Sequence, residues 1–146
     1  MHANYFRPAL AAVALFGLVA VGSPAIAGTV SFTADLKASE EIPPNDSKGT
    51  GTVDATYDTA SKTFSWTITY SGLTGPVTAA HFHGPAQLGF NAPPVIPISG
   101  SLKSPIKGET ALTEAQAHDL EAGLWYFNVH TAAHPSGEIR AQLVKK

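Results

Sequence analysis

Lys62-Thr63-Phe64-Ser65-Trp66-Thr67-Ile68-Thr69-Tyr70 is the stretch on which the fold turns. Phe64, Trp66, Ile68 and Tyr70 alternate with Thr63, Ser65, Thr67 and Thr69. A period of two is that of a β-strand with one buried face. Threonine and aromatic side chains also suit a pleated surface. Just upstream, residues 49–57 set Val53, Ala55 and Tyr57 on one side, and residues 58–61 supply a turn. Residues 48–70 are therefore predicted to form a hairpin.

The same period recurs on both sides. In residues 30–36, Val30, Phe32 and Ala34 alternate with Ser31, Thr33 and Asp35. Residues 77–83 read as a strand running into the Gly84-Pro85 turn, and residues 84–94 as a loop rich in Gly and Pro. Residues 95–98 form a short apolar strand whose proline favours an edge. Residues 106–112 and 124–131 are further strands. In the last strand, residues 138–144, Ile139, Ala141 and Leu143 point inward and Glu138, Arg140 and Gln142 outward. Residues 40–45 carry two prolines and read as a loop or bulged edge. One segment breaks the pattern: Thr113 with Gln116 makes a capping box, and Gly123 can end the helix that follows. Seven or eight short strands with turns between them predict an all-β fold, an antiparallel Greek-key sandwich or barrel. The one short helix would plug an end.

The 146 residues bound a single domain preceded by a leader. Residues 8–21 are apolar, and Ser23-Pro24-Ala25-Ile26-Ala27 offers a small-x-small cleavage site, so residues 1–27 read as a signal peptide. The apolar run is too short to span a bilayer. Residues 28–146 would form the exported domain, periplasmic or secreted, with no stable membrane insertion after cleavage. That part carries eight basic and eleven acidic side chains, a net charge of −3 with no basic run, which argues against nucleic acid as a partner. The absence of cysteine excludes disulfides and thiolate metal sites.

Chemistry concentrates in the histidines. His81 and His83 share one strand face, with Phe82 on the other. Tyr126, Asn128 and His130 share a face by the same parity, and His134 lies where the chain can fold back. If the two strands pair with those faces aligned, cross-strand neighbours lie ~5 Å apart at Cβ. His81, His83 and His130, with His134 as a fourth, would then be candidate metal ligands; three imidazoles without thiolate suit copper or zinc. The plainer reading has these histidines bonding backbone and capping turns. His118, within the helix, reads as a solvated surface residue. Glu138 and Arg140 read as a surface pair, or Arg140 as a cation lining the metal pocket and attracting a small anion. Glu40 and Glu41 could be a metal or partner contact, or anchor a loop. Phe64, Trp66, Phe82, Trp125 and Phe127 read as core aromatics. Neither a Ser–His–Asp order at nucleophile-elbow spacing nor a phosphate loop is present.

The stretches LWYFNVHTAAHPSGEIRAQL (residues 124–143), Ala80-His81-Phe82-His83-Gly84-Pro85 and Glu40-Glu41-Ile42-Pro43-Pro44 resemble the CHRD domain, named for its occurrence in chordin and found in many exported bacterial proteins. Ala141 stands where that family often has glycine. The resemblance implies a β-sandwich of immunoglobulin-like or superoxide-dismutase-like shape and no defined activity. The histidines are also similar to the copper site of copper/zinc superoxide dismutases: His81 and His83 to the His-x-His pair, His130 to a late copper ligand, Arg140 to the anion-guiding Arg. A zinc-bridging His, a zinc loop with its Asp and a disulfide are missing, so this resemblance implies at most a copper-only version.

Two functional classes follow. In one, the exported domain binds copper, with zinc not excluded, and either handles the metal or dismutates superoxide. In the other, it is a metal-free module that binds a protein partner or a second copy of itself.

Overall fold

The computed structural model describes residues 27–146; the expected leader falls almost wholly outside the described residues. The chain runs through β1 (Thr29–Lys37), a 3₁₀ turn (Ala38–Glu40), β2 (Thr50–Asp58), β3 (Thr63–Ser71), β4 (Val77–His83), β5 (Pro94–Pro97), β6 (Ile106–Ala111), α1 (Glu114–Glu121), β7 (Tyr126–Thr131), β8 (Ile139–Gln142) and β9 (Val144–Lys145). The all-β expectation holds. The hairpin read around Phe64 is β2–β3, paired in unbroken register from Thr50↔Ser71 to Asp58↔Thr63.

The strands form one antiparallel sheet in the order β5-β4-β7-β8-β1-β2-β3-β6, with β9 also on β1. Strands β3 and β4 stand near opposite ends of that order, yet their rings touch. Phe64 meets Phe82 edge-on at 5.2 Å between centroids, and Trp66 meets Phe82 at 5.3 Å. The sheet is therefore curled on itself, and its inner face encloses the core. Phe32, Leu36, Val53, Phe64, Ile68, Phe82, Phe127, Val129, Ile139 and Leu143 fill it. Each large side chain so buried contributes about 1.5–3 kcal/mol. The two edge strands, β5 and β6, line opposite sides of one cleft beside Trp66. Gly108 of β6 has no room for a Cβ, which would meet the Trp66 indole at 2.6 Å.

Helix α1 has the expected capping box between Thr113 and Gln116 and buries Ala117 and Leu120. The last strand read from sequence is split. Leu143 donates its N–H to the Trp125 carbonyl rather than to a ladder partner, so β8, which pairs with β7 and meets β1 at Lys37↔Arg140, ends there, and β9 pairs with β1 alone.

The outer face of β4, β7 and β8 is also covered. Residues 84–93 fold over it from one side. The loop after the 3₁₀ turn covers it from the other, pinned by the Asn45 side-chain amide, which donates to the Glu138 carbonyl at 3.0 Å. Strand β7 is consequently buried on both faces from Tyr126 to Val129. A small polar core sits there, outside the sheet and beneath the two loops.

Candidate metal centre

Pairing of β4 with β7 sets Ala79 opposite His130, His81 opposite Asn128, and His83 opposite Tyr126. On β8, Arg140 lies opposite Asn128. His81, Asn128 and Arg140 thus form one row across three strands, and parity puts His83, Tyr126 and His130 on the same face.

Each of His81, His83 and His130 offers a ring nitrogen, and those three atoms lie within 4.8 Å of one another. Their protonation follows from what surrounds them. His83 Nδ1 is 2.9 Å from the Ala92 carbonyl, and His130 Nδ1 is 2.9 Å from the Pro135 carbonyl. A carbonyl oxygen only accepts, so both Nδ1 atoms carry a proton, and in the neutral ring each Nε2 then keeps a lone pair. Those two lone pairs face inward. Each Nε2 is 3.0 Å from Asn128 Oδ1, and His130 Nε2 is 3.2 Å from His81 Nδ1. Fixing one imidazole nitrogen on a backbone carbonyl while the other faces a common point is the arrangement that orients a metal-binding histidine.

Electrostatics favour the neutral, ligating form. Burial pushes the His81 pKa below its ordinary value, and the neighbouring His130 and His83 push it further down. Burial also lowers that of His83, helped by His130 and Arg140 and opposed by the bonds to Ala92 and Asn128.

The expected residues do not all converge. His134 stands outside the three-histidine group. It sits in the turn after β7, where its backbone N–H donates to the Thr131 carbonyl at 3.1 Å. Its ring acts on Glu41, whose pKa it helps to lower. Arg140 is buried, and its side chain is committed. The guanidinium lies 3.5 Å from the Tyr126 ring centroid and donates to Asn91 Oδ1 at 2.6 Å and to the Phe90 carbonyl at 2.7 Å. Tyr126 stacks on His83 as well, with ring centroids 4.6 Å apart and planes 3° from parallel. On the register, His83 and Arg140 flank it from neighbouring strands. Arg140 thus ties residues 90–91 down over the imidazoles.

The surface pair expected of Glu138 and Arg140 is corrected: both are buried, and Glu138 bonds elsewhere. Its carboxylate accepts from Ser47 Oγ at 2.6 Å, Thr74 N at 2.8 Å, Thr74 Oγ1 at 2.8 Å and Thr131 Oγ1 at 2.5 Å. Burial alone would raise its pKa, but these donors outweigh it and hold the carboxyl below its ordinary value. His118 is exposed, as expected.

Glu40 and Glu41 part company. Glu40 is exposed, whereas Glu41 is 3% exposed and packs against the Gly137 backbone. Burial raises the Glu41 pKa; Arg140, the Asn128 amide, the Ile42 backbone and His134 pull it back. One of its oxygens has no hydrogen-bond partner. Sequence reasoning named Glu41 as a possible contact or loop anchor and Asn128 as a neighbour of His130, but gave neither a place in this polar core. Parity alone put Asn128 beside His130; nothing in the sequence brings Glu41 over it.

Among the described residues, no helix is long and apolar enough to cross a membrane. A family model described as the CHRD domain matches residues 32–143. No curated protein and no solved structure matches the chain.

Proposed function

The chain belongs to the CHRD domain family, and from that premise we propose that it is an exported domain that holds a metal ion, copper before zinc, on His81, His83 and His130. The observation that carries this reading is the pair of outward Nδ1–H···O=C bonds, to Ala92 and Pro135. They leave two lone pairs aimed at one point beside a third imidazole. Copper bound there would supply one-electron chemistry, and a nitrogen set without thiolate accepts Cu²⁺ readily. The chain's own residues orient the ligands, favour the neutral form of His81 and His83, and cover the site with residues 84–93. Copper holding ranks ahead of superoxide dismutation, because Arg140 is occupied by Asn91, Phe90 and Tyr126 and is not free to draw an anion.

The test is copper loading of residues 28–146, purified without a tag, beside the His81→Ala, His83→Ala double variant. About one copper per chain, lost in the variant, is expected. Equal uptake by both proteins would refute the assignment. Residues 1–27 act in this proposal as the leader, so the exported protein should begin at Gly28 on N-terminal sequencing.

A second reading rests on Leu88 and Phe90, which are 68% and 64% exposed at the tip of the covering loop. Two large apolar side chains in water favour a protein partner on that loop. A domain that binds such a partner equally well with and without copper would be acting as a binding module.

A further inference from the structure

We infer that Asn128 supplies a fourth, oxygen donor to the imidazole cluster. The inference rests on the metal reading above and goes one residue beyond it.

Asn128 Oδ1 lies 3.0 Å from His83 Nε2 and 3.0 Å from His130 Nε2. Both nitrogens are acceptors, because their rings have already given their protons to Ala92 and Pro135. His81 Nδ1, 3.2 Å from His130 Nε2, can supply a proton to that atom, which leaves His83 Nε2 and Asn128 Oδ1 facing each other at 3.0 Å with no proton between them, an arrangement that repels itself unless a cation lies there. Turning the Asn128 amide over would relieve the repulsion, yet Oδ1 and not Nδ2 faces both rings, the orientation that a bound cation selects. The result is three nitrogens and one neutral carboxamide oxygen, a donor set that suits Cu²⁺ or Zn²⁺.

The experiment is Cu²⁺ titration of the full mature chain with an EPR spectrum of the loaded protein, for wild type, Asn128→Leu, His83→Ala and Asn128→Asp. Asn128→Leu should bind Cu²⁺ about 10–100-fold more weakly and show an altered spectrum, the loss typical when a metal site's orienting shell is broken. Asn128→Asp keeps an oxygen at the same point and gives it charge; it should bind Cu²⁺ at least as tightly as wild type with a shifted spectrum, which a purely structural role for Asn128 would not predict. If Asn128→Leu fails to fold, Asn128→Asp alone decides, and a wild-type spectrum in it would overturn the fourth donor. Wild-type affinity and spectrum in Asn128→Leu, with binding lost in His83→Ala, would overturn the fourth donor and leave the triad standing. Absence of Cu²⁺ uptake by the wild type would overturn both.

Discussion

Replacing Glu138 by Gln should destabilise the domain by about 2 kcal/mol at neutral pH, and the deficit should vanish in acid. The glutamine is isosteric, and every contact has a neutral counterpart. Its oxygen can still accept from Ser47 and the Thr74 N–H, while its amide can donate to the Thr74 and Thr131 hydroxyls after they rotate. What is lost is charge. A hydrogen bond to a charged group is worth ~1.5–3 kcal/mol against ~0.5–1.5 for a neutral one, so four bonds lose ~4 kcal/mol in sum. Relief from burying a carboxylate offsets part of this, which leaves about 2 kcal/mol, or a fall of ~8 °C in Tm for a domain of this size. Because the folded pKa lies below the ordinary 4.5, the wild-type advantage is present above that value and is lost as pH falls through the folded pKa. Urea unfolding at pH 7 and pH 3.5, followed by the fluorescence of the buried Trp66 and Trp125, measures both quantities. A deficit under about 0.5 kcal/mol at pH 7, or one of equal size at both pH values, would refute the role assigned to this carboxylate.

The metal-free protein should lose stability as pH drops below 6.5: His81 and His83 take up protons at their ordinary value when unfolded but resist them when folded, and a pH series of urea midpoints reads the slope. Glu41 works in the opposite sense, since its raised pKa favours the protonated folded state and costs stability as pH climbs through that value; Glu41→Gln should flatten that part of the curve. Gly137→Ala should cost at least 1–3 kcal/mol, because φ is +133° there and a Cβ would collide with the Glu41 carboxylate; thermal unfolding gives the value. Arg140→Lys should release residues 90–91 by removing the two-point hold on Asn91 and Phe90 and the flat stack on Tyr126, seen as faster hydrogen exchange in residues 86–93 with the sheet unchanged.

Much of the fold was legible because burial on one side of a strand writes a period of two. Phe64 to Tyr70 shows it without interruption, and the same parity put His81, His83, Asn128 and His130 on matching faces before their pairing was known. The polar core was harder to read. The alternation of Glu138, Arg140 and Gln142 with Ile139, Ala141 and Leu143 gives the outward face correctly but says nothing about what lies over it. Two loops do, so that face is buried and its charges are paired with distant Ser47, Thr74 and Asn91. Glu41 was opaque for the same reason: its position depends on Asn45 pinning a loop to the backbone of residues 137–138, a contact between chain segments far apart in sequence. The break at Leu143 was hidden as well, since a strand that changes partners keeps its hydrophobic period.

Among the described residues the strand order ends in β5 and β6, and neither edge welcomes another strand. Strand β5 is four residues long with Pro94 and Pro97 at its ends, so it offers few N–H groups. Strand β6 sets Lys107 and Glu109 along its length and faces β5 across the cleft beside Trp66. Such edges disfavour the merging of two copies of this domain into one shared sheet.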